Sequence, residues 1–491
     1  MKSIVCGGVW TGPGDRILPA SKISISGDRI TGISNASDVN SRLFAIPGFV
    51  DAHCHFLWSG LERLFVDLRG TVSAMDLVDS VNSEIDSRRT GRILRGYGFD
   101  ESTWNDPALP TLKELDRATG SRPVFIRRVC GHEALVNSAM LEMLPLKSPG
   151  VNYSTGVIRE GIILDFESVF PIEADILGQA CSLAVEQAYS KGVIAVYTFE
   201  SRVTAEILLK NRPTIRISLC LFGKDADFLN EFPKEYEDAP PQISGLKFFL
   251  DGSLGASTAA VSGNYTDGTI ALPLLSDEQV MRSLKLADSL DLMPVYHAIG
   301  GRALAQIDRV GQKFLEKRSG GDTIKIRIEH AEELTADWPG RWNPSVHSFV
   351  MQPNFVSRWQ IPGGLYERKI GKERAMAMNP FSLVKDAGFQ MGFGSDGMPF
   401  GPLKGLDGAT DHPLEKFRID TASALNAYTL EAASICGFQD IAEHLSPGRK
   451  ADMTVLSADP FHTPWSEIEV AVTICDGKVV HGHEALLEEI S

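Results

Sequence analysis

Strand-like and helical segments alternate regularly through the central part of the chain. Apolar runs of strand length recur between stretches of helical periodicity, which is typical of parallel strands joined by crossover helices. Eight strands are predicted, at residues 45–52, 193–198, 215–221, 245–250, 292–297, 324–330, 348–352 and 390–394. Eight such strands predict an α/β fold, a (β/α)8 barrel of the TIM type. An open doubly wound sheet is the alternative, but no Gly-rich phosphate loop follows an early strand.

Both ends of the chain carry short β segments. They lie at residues 3–7, 22–26 and 29–33, and again at 452–456, 470–475 and 478–480. Each set alone is too short to be stable. We therefore expect residues 1–45 and 446–491 to pair in one small β-sandwich domain, beside a barrel that spans residues 46–445.

Residues 60–172 interrupt the alternation after the first barrel strand. A segment of this length is too long to be a bare loop. Its sequence predicts helices over 74–88 and 133–143 and strands over 93–97 and 123–129. We expect a structured insertion above the C-terminal end of the first strand, where it would cover a site.

Composition limits the partners and the compartment. The net charge of −15 argues against nucleic acid and anionic membranes, which both need a basic surface. There is no stretch of 18 apolar residues and no leading apolar segment of signal-peptide type. Seven cysteines without framework spacing indicate reduced thiols. We expect a cytoplasmic protein with a small-molecule substrate, and the question of a homo-oligomer stays open.

Potential metal ligands gather where predicted strands end, which is where barrels carry their chemistry. His53 and His55 follow the first strand, and side chains two residues apart in a strand point the same way, with Cys54 facing away as a packed thiol. H-x-H alone is weak evidence, since each histidine is also compatible with an ordinary polar role. Four of the 11 histidines fall at strand ends, however, and with the carboxylate at the end of the last strand they predict a divalent metal site: His53, His55, His297, His330 and Asp396. Lys247 lies at the end of the fourth strand, on the same rim.

These segments resemble the amidohydrolase superfamily, and most of all its YtcJ-like branch, amidohydrolase family 3. The resemblance covers nearly the whole chain. It rests on PGFVDAHCH at 47–55, GHEALVNS at 131–138, KFFLDGSLGASTAA at 247–260, HAIG at 297–300, IEHA at 328–331, GSD at 394–396 and SPGRKAD at 446–452. These motifs are specific for the family and not for a substrate.

The resemblance implies a hydrolase that acts on carbon–nitrogen bonds other than peptide bonds. It implies that these five residues and Lys247 bind one or two divalent ions, with zinc as the expected metal, and that Asp396 is both a ligand and the general base. Lys247 would be carboxylated by CO2 and bridge two ions; the alternative is an unmodified lysine paired with Asp251 or Asp396. His330 or His132 would add a hydrogen bond to the oxyanion, although His132 is equally compatible with a helix start.

The sequence departs from the family pattern in two places, which weakens any inference about the substrate. Gly300-Gly301 stands where relatives commonly have Gly-Asp, and Thr198-Phe199-Glu200 stands where they often end a strand in His-Asp. Two other functions stay open. One is a hydrolytic deaminase with a single metal, and the other is a non-catalytic scaffold of the same fold.

Overall fold

A computed structural model of the chain describes residues 2–14, 17–36, 41–86, 91–129, 133–144, 150–159, 163, 166–231, 241–318, 324–334, 338, 342–438, 441, 444–483 and 488–489. The chain divides into two compact units. One contains residues 1–56 and 185–491, and the other contains residues 57–184.

Eight parallel strands form the central sheet of the first unit. In chain order, which is also their order in the sheet, they are β1 (Phe49–Cys54), β2 (Val193–Glu200), β3 (Arg216–Phe222), β4 (Gln242–Phe249), β5 (Met293–Ala298), β6 (Ile326–His330), β7 (His347–Met351) and β8 (Gln390–Phe393). The predicted eight-stranded, TIM-type α/β barrel is confirmed, as a nearly closed barrel.

The barrel closes between β1 and β8 through the residues that follow β8. The backbone N–H of Asp396 donates to the carbonyl oxygen of His53 at 2.7 Å. Ser395 donates to the carboxylate of Asp51 twice, from its amide at 3.0 Å and from its hydroxyl at 2.6 Å. A Cβ at Gly394 would lie 2.3 Å from the backbone nitrogen of His53, so this approach requires glycine.

The predicted first strand is in fact two strands. Phe44–Pro47 pairs antiparallel with Met453–Leu456 in a terminal sheet, and only Phe49–Cys54 enters the barrel. Gly48 separates them at a point where a Cβ would lie 2.6 Å from the side chain of Ile194. A continuous apolar run does not reveal this change of sheet, because both halves are buried.

Helices connect the barrel strands. They begin and end as follows: Ala174–Ser190, Arg202–Asn211, Asp277–Ser289, Gly301–Lys317, Asn354–Trp359, Leu365–Ile370, Lys372–Met376, Phe381–Asp386, Leu403–Thr410, Thr421–Ala427 and Leu430–Ile435, with a 3-10 segment at Gly223–Glu231. Ser276 caps Asp277–Ser289 in a capping box with Gln279.

Two further sheets contain strands from both ends of the chain. One has the order Glu488–Glu489, Lys2–Cys6, Ser21–Ser26, Arg29–Asn35; the other has the order Gly8–Val9, Phe44–Pro47, Met453–Leu456, Val470–Cys475, Lys478–His481. One buried cluster includes side chains from both sheets, among them Ile4, Ile23, Val455 and Ile474.

The second unit has a six-stranded mixed sheet. Its order is Val151–Asn152, Val157–Arg159, Glu133–Val136, Val124–Arg128, Leu94–Phe99 and Val66–Asp67, with helices at Ala74–Ser83, Leu112–Thr119, Ser138–Leu141 and Phe166–Val169. The helix predicted over 133–143 is wrong in its first half. Residues 133–136 pair antiparallel with strands on both sides, and the Asn137 side chain caps a helix that begins only at Ser138.

No helix in the described part of the chain is long and apolar enough to cross a membrane. The six described cysteines are buried. Among them, Cys54 donates to the carbonyl oxygen of Tyr197 at 3.7 Å, as a packed thiol does.

Candidate metal centre

Two imidazoles and one carboxylate converge at the C-terminal end of the barrel. Nε2 of His53 lies 3.3 Å from Oδ1 of Asp396, and Nε2 of His55 lies 3.2 Å from the same oxygen. Burial alone would raise the pKa of Asp396, but the two histidines hold it well below its usual value. Burial lowers the pKa of His55, but the hydrogen bond to Asp396 outweighs this effect and raises the pKa above its ordinary value. The carboxylate is therefore ionised.

The backbone is strained at two of the predicted ligands. Asp396 has φ of +52° and His330 has φ of +70°, both in the left-handed region that residues with a side chain rarely adopt. Such conformations persist where the surroundings enforce them, and they concentrate at functional sites. Here they turn both side chains toward His53.

A buried carboxylate and a buried guanidinium hold the ring of His53 on the side of its Nδ1 atom. Nδ1 of His53 lies 2.5 Å from Oε2 of Glu329, and Oε1 of Glu329 lies 2.5 Å from Nε of Arg327. Arg327 also donates to the carbonyl oxygen of Ala52, and its guanidinium lies 3.9 Å from the ring centroid of Tyr197. Burial would raise the pKa of Glu329, but Arg327 and His53 lower it to about 2. Glu329 is thus a carboxylate that holds the ring of His53.

The other two predicted histidines lie beside this group. The ring centroid of His330 is 4.9 Å from that of His53 and 4.3 Å from that of His297. Burial lowers the pKa of His330 far below its ordinary value, and burial together with the charge of Lys247 lowers that of His297 to about 3. Both are therefore neutral, the form in which imidazole binds metal ions.

Asp251 holds the segment that follows His297. Its carboxylate accepts hydrogen bonds from the backbone N–H groups of Ala260, Ile299 and Gly300 at 2.8–3.0 Å. Nε2 of His297 donates to the carbonyl oxygen of Gly252 at 3.1 Å and lies 3.6 Å from Asp251. Asp251 is therefore occupied by the backbone and does not pair with Lys247.

Lys247 is buried near the C-terminal end of β4. Its Nζ lies 3.9 Å from the ring centroid of Phe199 and has no hydrogen-bond partner among the described residues. Burial lowers its pKa to about 8, against the opposing effect of Glu329 and Asp396. A buried amine without a hydrogen-bond partner is costly and calls for a functional explanation.

The chemistry of this group fits a divalent cation. Of the described residues, His53, His55 and Asp396 form a set whose ligand atoms all lie within 4.8 Å of one another. Imidazole nitrogen and carboxylate oxygen are the ligands preferred by zinc and its neighbours. In addition, Nδ1 of His330 is buried without a hydrogen-bond partner in the described chain. At this site, the lone pairs on nitrogen and oxygen therefore outnumber the protein hydrogen-bond donors that could bind them.

The six predicted ligands thus lie at one end of one barrel. His132 lies outside the described residues. Glu329 and Arg327 were not predicted, although two charged residues spaced two apart in an otherwise apolar strand are a signal of an inward-facing ion pair.

The residues at the two departures from the family pattern make specific local contacts. A Cβ at Gly301 would lie 2.2 Å from the hydroxyl of Ser262, and the Gly301 amide donates to Glu333 at 2.7 Å. Glu333 thus supplies a carboxylate beside this position. At the end of β2, Glu200 accepts a hydrogen bond from Thr198 at 2.7 Å.

Known proteins resemble this chain over almost its full length. The sequence profile of the amidohydrolase family matches residues 43–481. The Bacillus subtilis protein YtcJ, named as an amidohydrolase, is 24% identical over 478 residues, covering 89% of this chain and 88% of that protein. The N-substituted formamide deformylase of Arthrobacter pascens is 21% identical over 516 residues, covering 93% and 94%. The crystal structure of an uncharacterized metal-dependent hydrolase from Pyrococcus furiosus is 26% identical, with a TM-score of 0.77, covering 94% of this chain and 99% of that one.

Proposed function

This chain belongs to the amidohydrolase family, and we propose that it is a metal-dependent hydrolase which cleaves an amide or another non-peptide C–N bond of a small molecule. One observation carries the proposal: Nε2 atoms of His53 and His55 both point at the same oxygen of Asp396, at 3.3 and 3.2 Å. That arrangement is what three ligands of one cation require.

The proposed ion is zinc, and two ions per chain are the preferred count. His53, His55 and Asp396 would hold the first, and His297 and His330 would hold the second. Carboxylation of Lys247 would convert a buried amine without a partner into an anion that bridges both ions. This accounts for the unsatisfied Nζ of Lys247 and Nδ1 of His330 together.

The chain's own residues would then handle the protons and the substrate. A bound divalent ion makes water acidic and polarises a carbonyl group. Asp396 would accept a proton from the attacking water at its carboxylate and return it to the nitrogen of the leaving amine. His330 would orient the substrate oxygen by a hydrogen bond.

The choice of a C–N bond is supported by the relatives. The deformylase from Arthrobacter pascens matches this chain across 94% of its length, and its name specifies an N-substituted formamide. Amide hydrolysis also fits the proposed chemistry, because the activated water attacks the carbonyl carbon and an amine leaves.

The test is Asp396→Asn in protein loaded with zinc or manganese. Amine release from formamides, N-acyl amino acids and cyclic amides should fall by about 10²–10⁴-fold. Elemental analysis should give about two ions per wild-type chain. Full activity of the variant after thorough chelation would exclude the proposal.

A mononuclear deaminase is the second candidate. The observation in its favour is that, within the described chain, only His53, His55 and Asp396 place their ligand atoms within 4.8 Å of one another. Ammonia release from a ring amine by protein that holds one ion per chain would support it. The third candidate, a non-catalytic scaffold, is disfavoured because all six ligand positions are retained.

A further inference from the structure

An exposed phenylalanine lies at the edge of the metal centre. Phe249 is the last residue of β4, and 42% of it is exposed. It is two residues from Lys247, so both side chains leave the strand on the same side. Its ring centroid lies 5.3 Å from that of His297, and Nζ of Lys247 lies 5.8 Å from its centroid. Phe249 therefore borders two of the six predicted ligands.

A second ring extends this apolar surface. Phe222 ends the neighbouring strand β3, where it pairs in register with Lys247, and its ring centroid lies 6.0 Å from that of Phe249. We call Phe222 and Phe249 the aromatic wall. It combines rings from adjacent strands at the end of the barrel that carries the histidines.

The predicted ligands differ in their exposure to solvent. The side chain of His53 is 2% exposed, those of Asp396 and His297 are 12% exposed, and that of His55 is 36% exposed. Solvent therefore reaches His55 and Phe249 but hardly reaches His53. A large apolar side chain left exposed beside a metal centre is typical of a ligand-binding surface.

Phe248 provides the contrast. Its ring stacks on Tyr296 at 5.6 Å, and the hydroxyl of Tyr296 contacts Ser283 on the helix outside the barrel at 2.7 Å. The two adjacent phenylalanines thus face opposite sides of β4. Only Phe249 faces the metal centre.

We infer that the aromatic wall binds an aryl or branched-alkyl group of the substrate, next to the bond that is hydrolysed. Phenylalanine rings pack against apolar and aromatic groups, edge-to-face or offset in the case of another ring, and they donate no hydrogen bond to a carboxylate. This inference rests on the proposed function, which it narrows to amides with an apolar substituent.

The first experiment compares three formamides with the metal-loaded enzyme: N-methylformamide, N-benzylformamide and N-formylglycine. N-benzylformamide should have the highest kcat/KM of the three, by about 10-fold or more. Phe249→Ala should lower the ratio of kcat/KM for N-benzylformamide to kcat/KM for N-methylformamide by about 10-fold, through a higher KM for N-benzylformamide. Phe248→Ala is the matched control and should leave the ratio of the two kcat/KM values unchanged. A preference for N-formylglycine, or an equal loss on all substrates in Phe249→Ala, would overturn the inference.

The second experiment does not need turnover. Benzohydroxamate and acetohydroxamate chelate divalent ions through the same two oxygens and differ only in the aryl group. Calorimetry should show tighter binding of benzohydroxamate to the zinc-loaded protein, and Phe249→Ala should abolish the difference. If no formamide is hydrolysed but this preference is present, the amide proposal fails and the aromatic wall stands. Equal binding of the two hydroxamates by the wild type would refute the wall.

Discussion

Nδ1 of His53 and Oε2 of Glu329 are 2.5 Å apart, and both side chains are almost completely removed from solvent. A histidine that binds a metal through one nitrogen is commonly held by a carboxylate at the other, which fixes its tautomer and its orientation. Glu329 therefore presents Nε2 of His53 to the side of Asp396. Arg327 in turn keeps Glu329 ionised.

We predict that Glu329→Gln weakens zinc binding by about 10–100-fold. Competition with a chromophoric chelator measures this directly in metal-depleted protein. Glu333→Gln is the control, because the Glu333 carboxylate accepts hydrogen bonds from the amides of Ser262 and Gly301. The zinc affinity of this variant should stay within about 2-fold of the wild-type value.

Glu329→Gln also leaves Arg327 buried without its ionic partner, which costs about 3–5 kcal/mol. If this variant does not fold, the double change Arg327→Met with Glu329→Gln removes both charges and allows the same titration. Wild-type zinc affinity in a folded protein of either kind would contradict the supporting role of Glu329.

Lys247→Ala separates the two-metal centre from the one-metal centre. If Lys247 bridges two ions, the variant should retain about one ion per chain or fewer and lose activity. If the centre is mononuclear, the metal content should equal that of the wild type. Elemental analysis after gel filtration gives the answer, and mass spectrometry of the intact wild-type chain under CO2 tests for the added carboxyl group.

Metal removal should destabilise the protein. Ligands that bind only the folded state stabilise it by mass action, which amounts to about 2.7 kcal/mol when the free ion is ~100-fold above its Kd. Zinc added to chelated wild type should therefore raise the thermal midpoint. The same addition to Asp396→Asn should have a much smaller effect, and an equal rise in both proteins would place the stabilising ion elsewhere.

His347 should make stability depend on pH independently of the metal centre. It is buried at the start of β7, its Nδ1 contacts the backbone of Asn343, and burial lowers its pKa to about 4. The unfolded chain binds this proton near pH 6.5, so the unfolded state holds more protons between pH 4 and 6.5. Stability should fall as the pH falls through this window, by about 2 kcal/mol at pH 5.

The measurement is the difference in thermal midpoint between pH 7.5 and pH 5 with chelator present. His347→Gln should show a smaller loss than the wild type because it cannot be protonated. His462→Gln changes a histidine whose side chain is 78% exposed and should behave like the wild type. Identical losses in all three proteins would show that His347 is not responsible.

The sequence predicted the barrel and the convergence of the histidines for a simple reason. A two-residue period fixes the side to which His53 and His55 point, and parallel strands bring their C-terminal ends to one rim. The alternation of strands with helices was strong enough to locate all eight strands within a few residues. Local periodicity therefore carried most of the fold.

The same rule failed where the backbone leaves the extended form. Glu329 and His330 are consecutive, so a regular strand would point them to opposite faces. Both nevertheless reach His53, because φ of +70° at His330 turns that residue out of the strand geometry. No sequence period encodes this turn. The ion pair of Glu329 and the exposure of Phe249 depend likewise on tertiary contacts.

The left-handed backbone at Asp396 serves architecture and chemistry together. The same residue sends its amide to the carbonyl of His53 and its carboxylate to the ring of His53. Replacement of Asp396 would remove the proposed general base and disturb the contact between the first and last strands of the barrel. In relatives of this chain that lose activity, we therefore expect other ligands to be replaced before Asp396.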